Sequence, residues 1–186
     1  QARRHARFNV DRLYSLVERG VRIVGLEPSC ILGFRDDYID LLGDDSRARA
    51  VGESTMLIEE FLLYARQEHR AELEFARAPG KLLFHGHCHQ KAMAGTEPTL
   101  EVLRWAAGSQ VEEIKSGCCG MAGAFGFEKE HYDISIRIGE QFLFPAIRSQ
   151  GGDFTVVTQG VSCRQQIQHG TGKRAKHLVE VLAGAL

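Results

Sequence analysis

The sequence carries no surplus of charge: its formal net charge is −1 at pH 7, which offers nothing to a polyanion and excludes nucleic acid as a partner. No apolar run approaches the roughly 20 residues needed to cross a bilayer, so no transmembrane segment is expected. The first residues, Gln1 to Asn9, are Arg-rich and lack the apolar core of a signal peptide. The expected location is cytoplasmic, with any approach to the inner membrane made through partners. An initiating Met is also missing, and the chain is expected to be a segment of a longer polypeptide. There is no dinucleotide-binding fingerprint and no closely spaced ferredoxin-type cysteine run. Flavin chemistry and hydride abstraction are therefore expected to lie elsewhere, with no catalytic residue in this chain.

What is present is ordinary in bulk and unusual in one residue type. Hydrophobic residues make up 44% and charged residues 25% of the chain, as in a typical globular protein. Its 186 residues suffice for one domain, or one and a half small modules, burying roughly 70% of the unfolded surface. The five cysteines are an odd number, which suits metal or redox chemistry in a reducing compartment better than a disulfide scaffold. The focal stretch is Gly117-Cys118-Cys119-Gly120-Met121-Ala122-Gly123. Side chains alternate along an extended backbone, so adjacent thiols serve one site only if the chain bends or the bound object is large. Gly117 and Gly120 permit the bend by accepting positive φ. Gly120, Gly123 and Gly126 recur every three residues, leaving a loop whose amides can approach an anionic ligand.

In chain order, Arg3 to Arg19 reads as an amphipathic helix ended by Gly20, and Val21 to Leu26 as a short strand closed by the turn Glu27-Pro28-Ser29-Cys30. Ile31 to Leu42 reads as helical and Gly43 to Ser46 as a loop; one long helix is expected from Glu53 to Arg77, ending near Pro79-Gly80. Lys81 to His85 is the next strand, Glu97 to Ala107 a helix closed by Gly108, and Val111 to Lys115 a strand leading to the cysteine pair. A helix over about Glu128 to Ser149, kinked or stopped at Pro145, precedes the strand Phe154 to Thr158 and a last helix from Ala175 to Leu186. Alternating strands and helices imply an α/β fold, a mostly parallel short sheet flanked by helices. Every cysteine then falls at the carboxyl end of a strand, where open α/β sheets bind their ligands. Helices are expected to begin soon after Cys119 and Cys163, favouring thiolates at their N-termini.

Cys88, Cys118, Cys119 and Cys163 lack the close paired spacing of zinc fingers. An iron–sulfur cluster, which takes thiolates from several loops, accommodates adjacent ligands better than a single tetrahedral ion. A structural zinc used in assembly and a Cys118–Cys119 thiol-disulfide couple are the alternatives. His85, His87 and His89 alternate at a strand exit and would share one face if the backbone stayed extended. Each is either a hydrogen-bonding loop residue or a candidate ligand, His89 most evenly balanced between the two. Glu128, Glu130 and Asp133 read as helix-dipole partners. His169-Gly170-Thr171-Gly172-Lys173-Arg174 lacks the glycine and hydroxyl of a phosphate loop and reads as an exposed loop.

Four segments together, Glu27-Pro28-Ser29-Cys30, His87-Cys88-His89, Cys118-Cys119-Gly120 and Gly160-Val161-Ser162-Cys163, resemble the cysteine-rich, or CCG, domain. That domain occurs in heterodisulfide reductase, in the iron–sulfur subunits of glycolate oxidase and anaerobic glycerol-3-phosphate dehydrogenase, and at the C-terminus of large FAD-linked 2-hydroxyacid dehydrogenases. The likeness is strongest to the last group and covers nearly the whole chain. It implies an iron–sulfur cluster of the 4Fe-4S type held by Cys88, Cys118, Cys119 and Cys163, with Gly117, Gly120, Gly123, His87 and His89 around it. It also implies a flavin-bearing dehydrogenase region as partner, FAD in the parent protein but not in this fragment, and a quinone or electron carrier as acceptor. The implied substrate is D-lactate, glycolate or 2-hydroxyglutarate. By the same comparison residues 1–50 are the end of a preceding module, to which Cys30 belongs as a closing ligand, and residues 51–186 are a complete module. In one respect the sequence departs from heterodisulfide reductase, whose modules end in Cys-x-x-Cys. Gly160 stands at the first of those positions, so the noncubane cluster and disulfide cleavage of that enzyme are not carried over, and an ordinary electron-transfer cluster is expected.

Overall fold

The structure, a computed structural model, describes residues 1–68, 73–75, 80–108 and 110–186. The chain forms two compact units, Gln1–His69 and Arg70–Leu186. Each is α/β, with short parallel strands and flanking helices, as the element order led us to expect.

In the first unit, α1 (Ala2–Val17) buries Ala6 and Val10, Val10 packing with Ala48 and Val51 of α4 (Ser46–Glu53). β1 (Ile23–Gly25) pairs in parallel with β2 (Thr55–Leu57), Ile23 opposite Thr55 and Gly25 opposite Leu57. Pro28 does more than end a strand. It opens the helical turn α2 (Pro28–Ile31), a position where its missing N–H would have had no intrahelical acceptor. Cys30 therefore sits in a helical turn and not in the simple turn expected. After α3 (Asp37–Leu42) the expected loop is cut short at Ser46, because the Asp45 carboxylate accepts the Arg47 N–H and starts α4.

The long helix expected from Glu53 to Arg77 is not formed as one element: β2 intervenes and α5 (Ile58–Glu68) follows. Thr55 is buried, its hydroxyl donates to the Val51 carbonyl at 2.8 Å, and the ladder to β1 outweighs the local helical pattern. Residues 73–75 carry no regular structure, and the remainder of the expected helix, with its stop near Pro79, falls at 69–72 and 76–79, outside the described residues. β2, paired with β1, and α5 lie in the first compact unit, whereas the module boundary implied by the resemblance falls at residues 50 and 51.

The second unit is built on a parallel sheet of order β4-β3-β5, with β3 (Lys81–Phe84), β4 (Val111–Glu113) and β5 (Phe154–Val157). Leu82 pairs with Val111 on one side and Thr155 on the other, and Phe84 with Glu113 and Val157. The consecutive run Leu82-Leu83-Phe84, no more than 2% exposed, is what a central parallel strand covered on both faces requires. Each such side chain contributes roughly 1.5–3 kcal/mol by burial. Between β3 and β4 run α6 (Cys88–Met93) and α7 (Glu97–Ala107), the latter closed by Gly108 at φ 69°. Between β4 and β5 run α8 (Tyr132–Gln141) and α9 (Leu143–Arg148). Then α10 (Val161–Thr171) and α11 (Leu178–Ala183) complete the unit.

The single helix expected over Glu128 to Ser149 is thus two helices, preceded by a 3-10 turn at Phe125–Phe127. The break is at Phe142 and not at Pro145. Pro145 falls in the first turn of α9, where a missing N–H leaves no helical bond unmade. The Phe144 ring explains two glycines inside helices: a Cβ at Gly139 of α8 or Gly170 of α10 would lie 2.4 or 2.3 Å from that ring. The segment expected as an exposed loop from His169 instead gives α10 its last turn, which ends at Gly172 in the left-handed region. Leu83, Ile114, Leu143, Phe144, Ile147, Val156 and Ile167 form the core, and Cys119, Met121 and Cys163 are part of the same cluster.

Candidate metal centre

Three strand exits of the second unit deliver the thiols. Beyond β3, His87 caps α6, its Nδ1 accepting the His89 N–H at 3.2 Å, and Cys88 is the first helical residue. Beyond β4, the Ile114 N–H donates to the Phe84 carbonyl. The Lys91 ammonium donates to the carbonyls of Ser116 and Gly117 at 2.5 and 2.7 Å, holding the backbone that leads to Cys118. Beyond β5, Gly160 precedes α10, whose third residue is Cys163. The helix therefore starts before Cys163, not after it as expected. No helix starts directly after Cys119; a loop runs to the 3-10 turn at Phe125.

The Cys-Cys-Gly loop turns at Gly120, whose φ is 97°. A Cβ there would stand 2.1 Å from the Ser135 carbonyl oxygen, so both the backbone angle and the contact demand glycine. Ser135 is itself pinned by the buried Gln166 amide, which donates to its carbonyl and hydroxyl oxygens at 3.3 and 3.0 Å. Gly117, the other expected bend, does not adopt a positive φ, whereas Gly123 does, at 67° in open surroundings. Ala122 is left-handed as well, at φ 44°. The turn aims successive amides at sulfur: the Gly120 N–H donates to Cys118 Sγ at 3.3 Å, the Ala122 amide faces the same thiol and the Met121 amide faces Cys119. Such a nest of N–H groups favours negative charge.

All five cysteines are free thiols. Cys88 is exposed and Cys118 half-buried, while Cys119 and Cys163 are each 2% exposed. The thiols are near enough in succession, Cys88 to Cys118, Cys118 to Cys119 and Cys119 to Cys163, to perturb one another's ionisation. The shifts run in opposite directions along the row. The Cys119 and Cys88 thiols and the Gly120 and Ala122 amides push Cys118 strongly toward the thiolate. Cys119 and the nearby His85 and His87 hold Cys163 down to about 5. Cys88 and Cys119 are pushed up by the thiolates they serve and by burial. Cys30 belongs to the first unit, exposed in α2 past the end of β1.

The histidines do not alternate as an extended strand would place them, because the chain turns into α6 at Cys88. His85 is fully buried, its Nδ1 2.9 Å from the Ser116 hydroxyl and its Nε2 without a hydrogen-bond partner. His87 is 6% exposed and its ring covers Gly160: a Cβ on Gly160 would lie 2.4 Å from His87 Cδ2 and 3.2 Å from Cys163 Sγ. The place of the absent cysteine is filled by an imidazole. His89, half-buried in α6, offers the cap its backbone N–H. Lys91 and Ser116 escape a reading of the sequence; the only signal for Lys91 is that it directly follows His87-Cys88-His89-Gln90.

Among the described residues no group of three or more His, Cys, Asp or Glu side chains is arranged to hold a single metal ion. A row of four thiols from three loops, an amide nest and an orphaned buried imidazole nitrogen fit a polynuclear cluster instead.

The sequence is 33% identical over 187 residues to a subunit of the anaerobic glycerol-3-phosphate dehydrogenase of Escherichia coli, the match covering 100% of this chain and 46% of that protein. It is 30% identical over 181 residues to D-2-hydroxyglutarate dehydrogenase of Pantoea ananatis, covering 96% of this chain and 17% of that protein. Lactate utilization protein A of an Exiguobacterium species is 25% identical over 172 residues, covering 86% of this chain and 67% of that protein. The chain thus spans about half the length of the first of these relatives and a smaller share of the second. No family model matches the sequence, and no solved structure matches it. The resemblance to this group of dehydrogenases, first carried by the cysteine segments, extends along the full chain.

Proposed function

We propose that the chain is the iron–sulfur electron-transfer domain of a flavin-linked dehydrogenase, and that its second unit holds a 4Fe-4S cluster. The observation that carries this reading is the row of Cys88, Cys118, Cys119 and Cys163, brought together from three strand exits. These four thiolates would hold the cluster, which when bound accepts and releases single electrons. The Gly120, Met121 and Ala122 amides offset the negative charge collected there. Lys91 fixes the loop in front of the pair. Cys119 and Cys163 face the core while Cys88 reaches solvent, so one side of the centre is open to a redox partner.

The flavin, the oxidation of a 2-hydroxy acid or of glycerol 3-phosphate, and a quinone or carrier as acceptor belong to the parent protein and its partners. A cytoplasmic location, with contact to the inner membrane through those partners, belongs to the same reading. The likeness to a glycerol-3-phosphate dehydrogenase subunit supports a separate-chain arrangement as well as the hydroxyglutarate dehydrogenase likeness supports a fused one. Cys30 is proposed as a ligand of a preceding module. The test compares this chain, its parent protein and a parent carrying Cys118→Ser and Cys119→Ser. The double variant is expected to keep flavin reduction by substrate and lose onward transfer to the acceptor. Turnover of substrate by this chain alone, or undiminished onward transfer in the variant, contradicts the reading.

A further inference from the structure

Of the histidines beside Cys163, His87 is told apart from a ligand by what already occupies its Nδ1. The Nδ1 of His87 accepts a backbone N–H, from His89. A backbone amide can only donate, so Nδ1 holds the lone pair and the ring hydrogen of the neutral imidazole is on Nε2. A nitrogen bearing hydrogen does not ligate iron. His177 shows that this is an ordinary structural state, since its Nδ1 caps α11 in the same way, accepting the Val179 N–H. His85 is compatible with the same state: the Ser116 hydroxyl, able to donate or to accept, lies 2.9 Å from its Nδ1, and its Nε2 is buried and available to a neighbouring acceptor. Both rings lie close enough to Cys163 to favour its thiolate. His87 reaches it across Gly160, whose bare α-carbon lets Nε2 and Sγ each come within 3.3 Å of the point a Cβ would occupy.

We infer that His85 and His87 are paired Nε2–H donors aimed at the Cys163 sulfur, positioning residues that set the reduction potential of the cluster and do not bind its iron. The inference rests on the iron–sulfur reading above. The added electron makes the cluster and its thiolates more negative, and N–H donors to sulfur stabilise that state, raising the potential. No proton moves: each imidazole keeps its Nε2 hydrogen in both oxidation states, and the electron comes from the external reductant. Gly160 is the steric condition for this arrangement, because any side chain there displaces the His87 ring.

The experiment is a redox titration of the anaerobically reconstituted chain, followed by visible absorbance and electron paramagnetic resonance. Asn places its amide near the Nδ1 position, so His87→Asn keeps the cap and His85→Asn keeps the Ser116 bond, and each removes one Nε2–H. Each is expected to assemble the cluster with a ratio of reduced to oxidised form at least tenfold lower at a fixed potential, about 59 mV for a one-electron couple. His87→Gln, with a donor near the Nε2 position, restores most of the shift, and Gly160→Ala lowers the potential by moving the ring. Pulsed resonance on the unmodified chain gives an independent readout, with only the weak nitrogen coupling of a hydrogen-bonded ring expected. A loaded cluster whose potential is unchanged in both Asn variants, or the strong coupling of an iron-bound nitrogen, overturns the inference while leaving the iron–sulfur reading intact. Failure of the unmodified chain to take up a cluster overturns both.

Discussion

The α-carbon of Gly120 faces the carbonyl of Ser135 so closely that a Cβ would stand 2.1 Å from its oxygen. The contact ties the Cys-Cys-Gly loop to α8, and the Gln166 amide ties α8 in turn to α10, which carries Cys163. Gly120→Ala is therefore expected to cost about 2 kcal/mol or more, from backbone strain together with the clash. It should also reduce cluster content. Thermal unfolding and iron and sulfide analysis check this, and an unaltered melting temperature with full iron would contradict it.

Cys88→Ser, Cys118→Ser, Cys119→Ser and Cys163→Ser are each expected to remove most of the cluster absorbance, since the four thiols form one connected row. Cys30→Ser, in the first unit, should leave it nearly unchanged in this chain. Equal loss on Cys30→Ser would show that the assignment of Cys30 to a separate module is mistaken.

Lys91→Met keeps the length of the side chain and removes the charge-assisted bonds to the Ser116 and Gly117 carbonyls. The expected loss of stability is about 1–2 kcal/mol, with faster loss of the cluster to a chelator. Thermal melts and chelation rates, taken on the same preparation, measure both. An unchanged chelation rate would mean that the loop is held without Lys91.

Acid sensitivity of the first unit is expected to centre on Asp45. Hydrogen bonding from Arg47, helped by Arg7, lowers its pKa from 3.8 to about 2. A carboxyl whose folded pKa is depressed stabilises the fold above its unfolded pKa and loses that contribution as the pH falls toward the folded one. Asp45→Asn retains the helix cap but not the ion pairs, so its melting temperature should fall below that of the unmodified chain at pH 7, the gap closing between about pH 4 and pH 2. Circular dichroism melts across that range test this, and a gap independent of pH would assign the effect to capping alone.

The parallel α/β plan was legible because Leu82-Leu83-Phe84 and Phe154-Thr155-Val156-Val157 are apolar enough to announce buried strands. α7 was legible down to its terminal Gly108. β2 was hidden because its three residues sit in a helical pattern and become a strand only through pairing with β1. The split between α8 and α9 was misplaced because Pro145 is harmless in a first helical turn, while nothing in the sequence marks Phe142. At the centre, the thiols could be nominated from their position after strands, and the Gly120 turn from its glycine. That His87 fills the space beside Gly160 depends on a contact between residues far apart in sequence, which no spacing rule encodes; its Nδ1 cap bond to the His89 N–H is local, two residues along the chain.

The most direct measurement is metal and sulfide analysis of the chain after anaerobic reconstitution with iron, sulfide and zinc offered together. The account predicts about four iron and four sulfide per chain, the content of a 4Fe-4S centre, with a broad visible absorbance bleached by dithionite. One zinc per chain with no iron or sulfide, and no visible absorbance, would contradict it.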